Sequence, residues 1–143
     1  MVNMIATGLS WRACIAWQTG VKIYFLIDPV LYPQEHHPVR VVHMWMLATL
    51  TMYLTNLEDD PTVADHMKSG LNFTIVMWEL MRQVRDQVGK SHGDGSKFAQ
   101  EVRRRLDDVH KEMGCDPTGL EETKRDVRVQ WGYLRQIADW LQY

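Results

Sequence analysis

Apolar positions along this chain recur mostly at spacings of three and four, the period of helices with one buried face. One stretch departs from that rule. Val41 to Leu57, VVHMWMLATLTMYLTNL, is apolar on every side of the helix it forms, interrupted only by His43, Thr49, Thr51, Thr55 and Asn56. Pro38 suits the first turn of this helix, which ends near Leu57. Glu58-Asp59-Asp60 followed by Pro61 is a helix-start signature. From there Val63, Met67, Leu71, Thr74, Trp78, Met81, Val84 and Val88 form one stripe and predict a single long helix, 61–88, with Gly70 inside it. So short a connection makes the two helices an antiparallel hairpin with an acidic tip at Glu58, Asp59 and Asp60.

The flanking segments are also helical in pattern. In 1–28, Val2, Ile5, Leu9, Ala13, Ala16 and Trp17 keep helical spacing. VKIYFLI (21–27) reads as helix or as a buried strand; helix is favoured, with Gly20 as a break. Residues 28–38 carry three prolines and predict an irregular connector. GKSHGDGS (89–96) reads as a loop ending in Ser96, a helix cap. The next face is Phe98, Val102, Leu106, Val109 and Met113, closed by Gly114. Thr118 and Glu121 form a capping box before a last helix, 118–142, with Leu120, Val127, Trp131, Leu134, Ile137, Ala138 and Leu141. The expected fold is all-α, with about five helices in a single assembly domain, 1–143.

A helix apolar on all sides must be covered on all sides. It is therefore a membrane span, the centre of a bundle or half of a subunit interface. A span is disfavoured: the segment is short of the roughly 20 residues a bilayer requires, it contains His43 and three Thr, and no basic cluster flanks it. Within the hairpin each helix carries more apolar surface than its partner covers, because Phe73, Ile75, Val76 and Leu80 lie off the main stripe. Burial yields about 25 cal/mol per Å² of apolar area, so leaving such a surface in water is costly. Two hairpins related by a two-fold axis bury it as an intersubunit four-helix bundle. The expected dimer interface comprises Trp45, Leu47, Leu50, Met52, Leu54, Leu71, Trp78 and Met81.

Composition adds little chemistry. The 143 residues carry a net charge of −2, so no overall basic field attracts nucleic acid. Two cysteines, Cys14 and Cys115, offer no disulfide framework, which fits a reducing compartment, and no signal peptide is apparent. Gly89-Lys90-Ser91 lacks the glycine of a phosphate loop five residues upstream, where Val84 stands. His36, His37 and His43 lack metal-site spacing. Asp107 and His110 lack the second pair that a di-metal bundle uses. Arg103-Arg104-Arg105 is matched at i,i+4 by Glu101–Arg105, Arg103–Asp107 and Arg104–Asp108, a salt-laced face rather than an RNA site. No nucleophile has an evident base, so neither an enzyme nor a cofactor is expected.

Certain patches resemble the capsid (core) proteins of hepadnaviruses. They are His36-His37, then Arg40 and Trp45; Leu47-Ala48-Thr49; Asn56-Leu57-Glu58-Asp59 and Pro61, with Asp65, Ser69 and Asn72 at fixed offsets; Trp78; and Tyr133-Leu134 with Trp140-Leu141. They cover about a third of the chain. Asp60 is an extra residue in the tip, the family's N-terminal motif is not seen in 1–28, and 89–117 has no counterpart. The resemblance implies a viral structural protein of the virion and of host cytoplasm or nucleus, which dimerises through the hairpin and assembles into a shell enclosing nucleic acid. It implies contact between dimers through Tyr133, Leu134, Trp140 and Leu141, and nucleic-acid binding only through a basic tail that this chain lacks. The alternative is a small helical adaptor in a larger nucleic-acid or host-targeting complex.

If the resemblance holds, Trp140→Ala leaves dimers and removes shells. Negative-stain microscopy checks this, and large particles from the variant contradict the role of Trp140.

Overall fold

The computed structural model of the chain describes residues 2–57, 63, 70–114 and 124–140, with side chains from residue 11 onward and excluding that of residue 140. Every regular element among them is helical: α1 (Val2–Lys22), a π-helical turn (Ile23–Ile27), α2 (Asp28–Leu31), α3 (Pro38–Thr55), α4 (Phe73–His92), α5 (Lys97–Met113) and α6 (Lys124–Trp140). Five of these are long helices. The acidic tip, the capping box at Thr118 and the last residues of the chain lie outside the described residues.

Local chemistry sets the helix ends. Pro38 opens α3, and Nδ1 of His37 accepts the Val39 N–H at 3.2 Å. Asn72 caps α4 through the Ile75 N–H, and Ser96 caps α5 through the Ala99 N–H. Gly93 and Gly114, with φ of 87° and 82°, close α4 and α5 in the left-handed region that favours glycine.

Four boundaries differ from the sequence reading. Asp28–Leu31, at the start of the expected irregular connector, forms the short helix α2. The stripe 61–88 is not one helix: it breaks at Gly70, whose φ is 87°, and α4 begins at Phe73. The break is pinned from a distance, because Gln130 of α6 accepts the Asn72 N–H at 2.8 Å and donates to the Gly70 carbonyl at 3.1 Å. Residues 89–92 are the last turn of α4 rather than loop. Gly20 does not break α1. It forms a notch instead, since a Cβ there would lie 3.0 Å from Cδ1 of Leu47 on α3. The 21–27 segment is helical, widened into a π turn in which the Asp28 N–H reaches the Ile23 carbonyl.

The core lies where α1, α3 and α4 meet, and α6 and α5 extend it on the flanks of α4. The α3–α4 pairing is the most extensive. Arg40 and Met44, early in α3, share a recess with Arg82, Gln83, Asp86 and Gln87 of α4. Toward the other end of α3, Nε1 of Trp17 donates to Oγ1 of Thr51 at 2.9 Å, and the Trp17 ring meets Phe73 edge-on at 5.5 Å. Thr51 in turn donates to the Leu47 carbonyl at 2.7 Å. A hydroxyl at position 51 thus satisfies an indole N–H that is wholly shut off from water.

Thr51→Val keeps the shape and leaves that indole N–H unpaired. The expected cost is about 1–3 kcal/mol in urea unfolding, with Thr51→Ser close to native. A valine variant as stable as the parent contradicts the importance of the bond.

Candidate interaction surface

The outward face of α3 is the most distinctive surface of the molecule. α3 is covered by α1 and the π turn on one side and by α4 on the other. Val41, Met44, Leu47, Ala48, Thr51 and Leu54 point into these neighbours and are buried. The opposite face holds Val39, Val42, Met46, Thr49, Leu50 and Tyr53. Val39, Met46 and Tyr53 are 37%, 56% and 44% exposed, and the other three are half-buried. The positions 39, 42, 46, 49 and 53 step by three and four, the a/d spacing of a two-helix seam. None of the six residues is charged.

The structure redistributes the expected dimer contacts. Leu47, Leu54, Trp78 and Met81 are at most 2% exposed within the single chain, so in this fold they have no surface to offer a second copy. Leu47 fills the Gly20 notch, and Trp78 packs edge-on against His110 of α5 at 5.1 Å. Both α1 and α4 cover α3. Trp45, Leu50, Met52 and Leu71 remain half-buried against the core. Of the residues expected between dimers, Leu134 is fully buried, and the Tyr133 ring lies against Gly70. The Trp140 side chain, Leu141, Glu58, Asp59 and Asp60 lie outside the described residues.

Polar side chains that could have carried chemistry are held in pairs and networks. Tyr24 of the π turn donates from Oη to Oε1 of Gln83 at 2.6 Å and accepts the Trp131 indole N–H at 3.3 Å. Gln83 donates to the buried Glu79 at 3.2 Å, and Glu79 is paired with Arg82, which also reaches Asp86. This network joins the π turn, α4 and α6. Burial pushes the Tyr24 phenol above its ordinary value of 10, against the opposing pull of its two hydrogen bonds. The adjoining recess of about 360 Å³ sets Arg40 and Arg82 beside Glu35 and Asp86, so its charges balance.

Asp28 is 2% exposed, and both its carboxylate oxygens lie 3.0 Å from Nδ1 of His43. His37 is occupied as the α3 cap and by stacking on Tyr32. Among the described residues no three His, Cys, Asp or Glu gather as a metal site, and no helix is long and apolar enough to cross a membrane. On α5, Arg103 turns to Asp94, whereas Arg104 pairs with Glu101 and Asp108. The Arg104 hydrogen bond lowers the Glu101 carboxyl below its usual range. Arginine charge on this face is thereby largely answered in place.

Because the folded-state value of Tyr24 is raised, its contribution to stability is complete below the unfolded value near 10 and fades as pH climbs through the folded one. Tyr24→Phe is therefore expected to lose about 1–3 kcal/mol at neutral pH, since Gln83 and Trp131 lose a partner, and to show a shallower decline above pH 10. Urea midpoints across an alkaline series check both. Parallel curves for the two proteins contradict the assignment.

Compared with known proteins, the chain matches no family model, no curated protein and no solved structure.

Proposed function

We propose that this is a structural protein that works by self-association, with α3 as the helix that meets its counterpart in a second copy. The observation that carries the reading is the uncharged outer face of α3: Val39, Val42, Met46, Leu50 and Tyr53 around Thr49, partly or largely in water. A two-fold axis places the same patch on both sides of the contact. A patch without charge is complementary to itself, because no like charges meet across the axis. Its three–four spacing suits side-by-side helix packing at a shallow crossing angle.

In this arrangement α3 and α4 act as the hairpin, with two α3 helices inside and an α4 behind each. This is the four-helix bundle that the apolar pattern suggests, with a seam formed by the outer residues of α3 rather than by Leu47, Leu54, Trp78 and Met81. The resemblance to hepadnavirus core proteins adds a purpose for such a dimer, as the building unit of a viral shell. A closed shell needs a further contact between dimers, and Leu134, buried within the single chain, has no surface to lend to it.

Met46 sits at the middle of the face and is its most exposed residue, so a charge there leaves the fold intact and opposes its twin across the axis. Met46→Glu is expected to weaken self-association by at least about 100-fold, which corresponds to roughly 2.7 kcal/mol. Light scattering over a concentration series measures it, and microscopy of the parent chain separates shells from a lone dimer. A parent chain that stays monomeric at high concentration, or a glutamate variant that associates as tightly as the parent, overturns the reading.

A further inference from the structure

Val30 and Leu31 of α2 are the most exposed large apolar side chains among the described residues, at 74% and 62%, and Ile27 beside them is 38% exposed. A four-residue helix does not persist by its own hydrogen bonds. This one is fixed by its surroundings. The nearly buried Asp28 carboxylate holds the His43 ring of α3 through Nδ1. Nη1 of Arg40 donates to the Tyr32 and Pro33 carbonyls, each at 3.2 Å. Tyr32 stacks on His37 at 4.3 Å between ring centroids. A buried carboxylate, a guanidinium and a ring stack thus fix a short helix whose outward side chains are aliphatic.

The position of α2 matters as much as its rigidity. His43 lies on the edge of α3 next to Val39, Met46 and Leu50, so the Asp28–His43 bond brings the start of α2 to the border of the open face. That face is narrow. α3 has 18 residues and so is about 27 Å long and roughly 10 Å wide, a footprint of roughly 270 Å². A stable pair of subunits buries about 800 Å² on each side. The α3 seam by itself falls well short, and α2 is the adjoining apolar surface that enlarges it.

We infer that α2 forms the second half of the contact with another copy of this chain, Val30 and Leu31 packing beside the α3 seam while the Asp28–His43 bond sets their position. The inference rests on the self-association proposed for α3. The test is sedimentation velocity over a dilution series with the full chain, Val30→Ser/Leu31→Ser and Met46→Glu. Both serine positions are in water within one chain, so the fold is retained, and an unchanged urea midpoint verifies it. Val30→Lys, a single change at the more exposed position, is a second probe.

The double variant is expected to raise the dimer Kd by about 10- to 100-fold, and Val30→Lys to raise it in the same direction. A dimer weakened by Met46→Glu but indifferent to both α2 variants overturns the α2 inference and leaves the α3 reading standing. A parent chain without a dimer overturns both. A dimer indifferent to the α2 variants that lose binding to phosphatidylcholine vesicles assigns the patch to a lipid surface and equally overturns the inference.

Discussion

The structure depends on how α3 is covered. Burying the whole circumference of an uncharged helix takes neighbours on every side, and the described residues provide them on two. α1 approaches closely because Gly20 has no side chain, and Leu47 enters the space that a Cβ would take. α4 covers the other side, and Val76, Leu80 and Val84 are among its buried residues. On the remaining strip Val39, Met46 and Tyr53 are exposed, and Val42, Thr49 and Leu50 are half-buried. Packing therefore explains the stability of α3 and also defines the surface through which the molecule is proposed to act.

Polar groups inside this packing fix its geometry. The Trp17–Thr51 bond ties α1 to α3, and Gln130 ties α6 to the start of α4. Tyr24 links the π turn to α4 and α6 through Gln83 and Trp131. No buried side-chain nitrogen or oxygen among the described residues lacks a partner. An apolar core alone tolerates sliding between helices. Bonds of this kind select one register, because any shift strands a polar atom out of water.

Much of this was legible in the residues. The all-helical class follows from the three–four spacing. Pro38 at the start of α3, Ser96 before α5 and Gly114 after it are read from local chemistry, because each acts within one turn of its own position. The two glycines Gly20 and Gly70 show where such reading ends. One was expected to interrupt a helix and the other to sit inside one, and the structure reverses both. Gly70 is turned by bonds from Gln130, distant in sequence, and Gly20 stays within α1 with Leu47 of another helix set against it. Residue type permits either outcome, and only the tertiary partner decides. The expected interface meets the same limit. The sequence tells that α3 is apolar on all sides but not which sides α1 will claim, and within the single chain Leu47 and Leu54 point in. The spacing 39, 42, 46, 49 and 53 was a usable signal for the open face. It was obscured because the positions around it are just as apolar.

The central claim is that the outer face of α3 meets the same face of a second molecule. Methyl NMR of Val39, Val42, Met46 and Leu50 across a dilution series tests it most directly. The account predicts that these methyl signals move together with concentration, while those of the inward-pointing Val41, Met44 and Leu47 hold still. Outer-face signals that stay constant, with the open accessibility of a monomer at the highest concentration, contradict it.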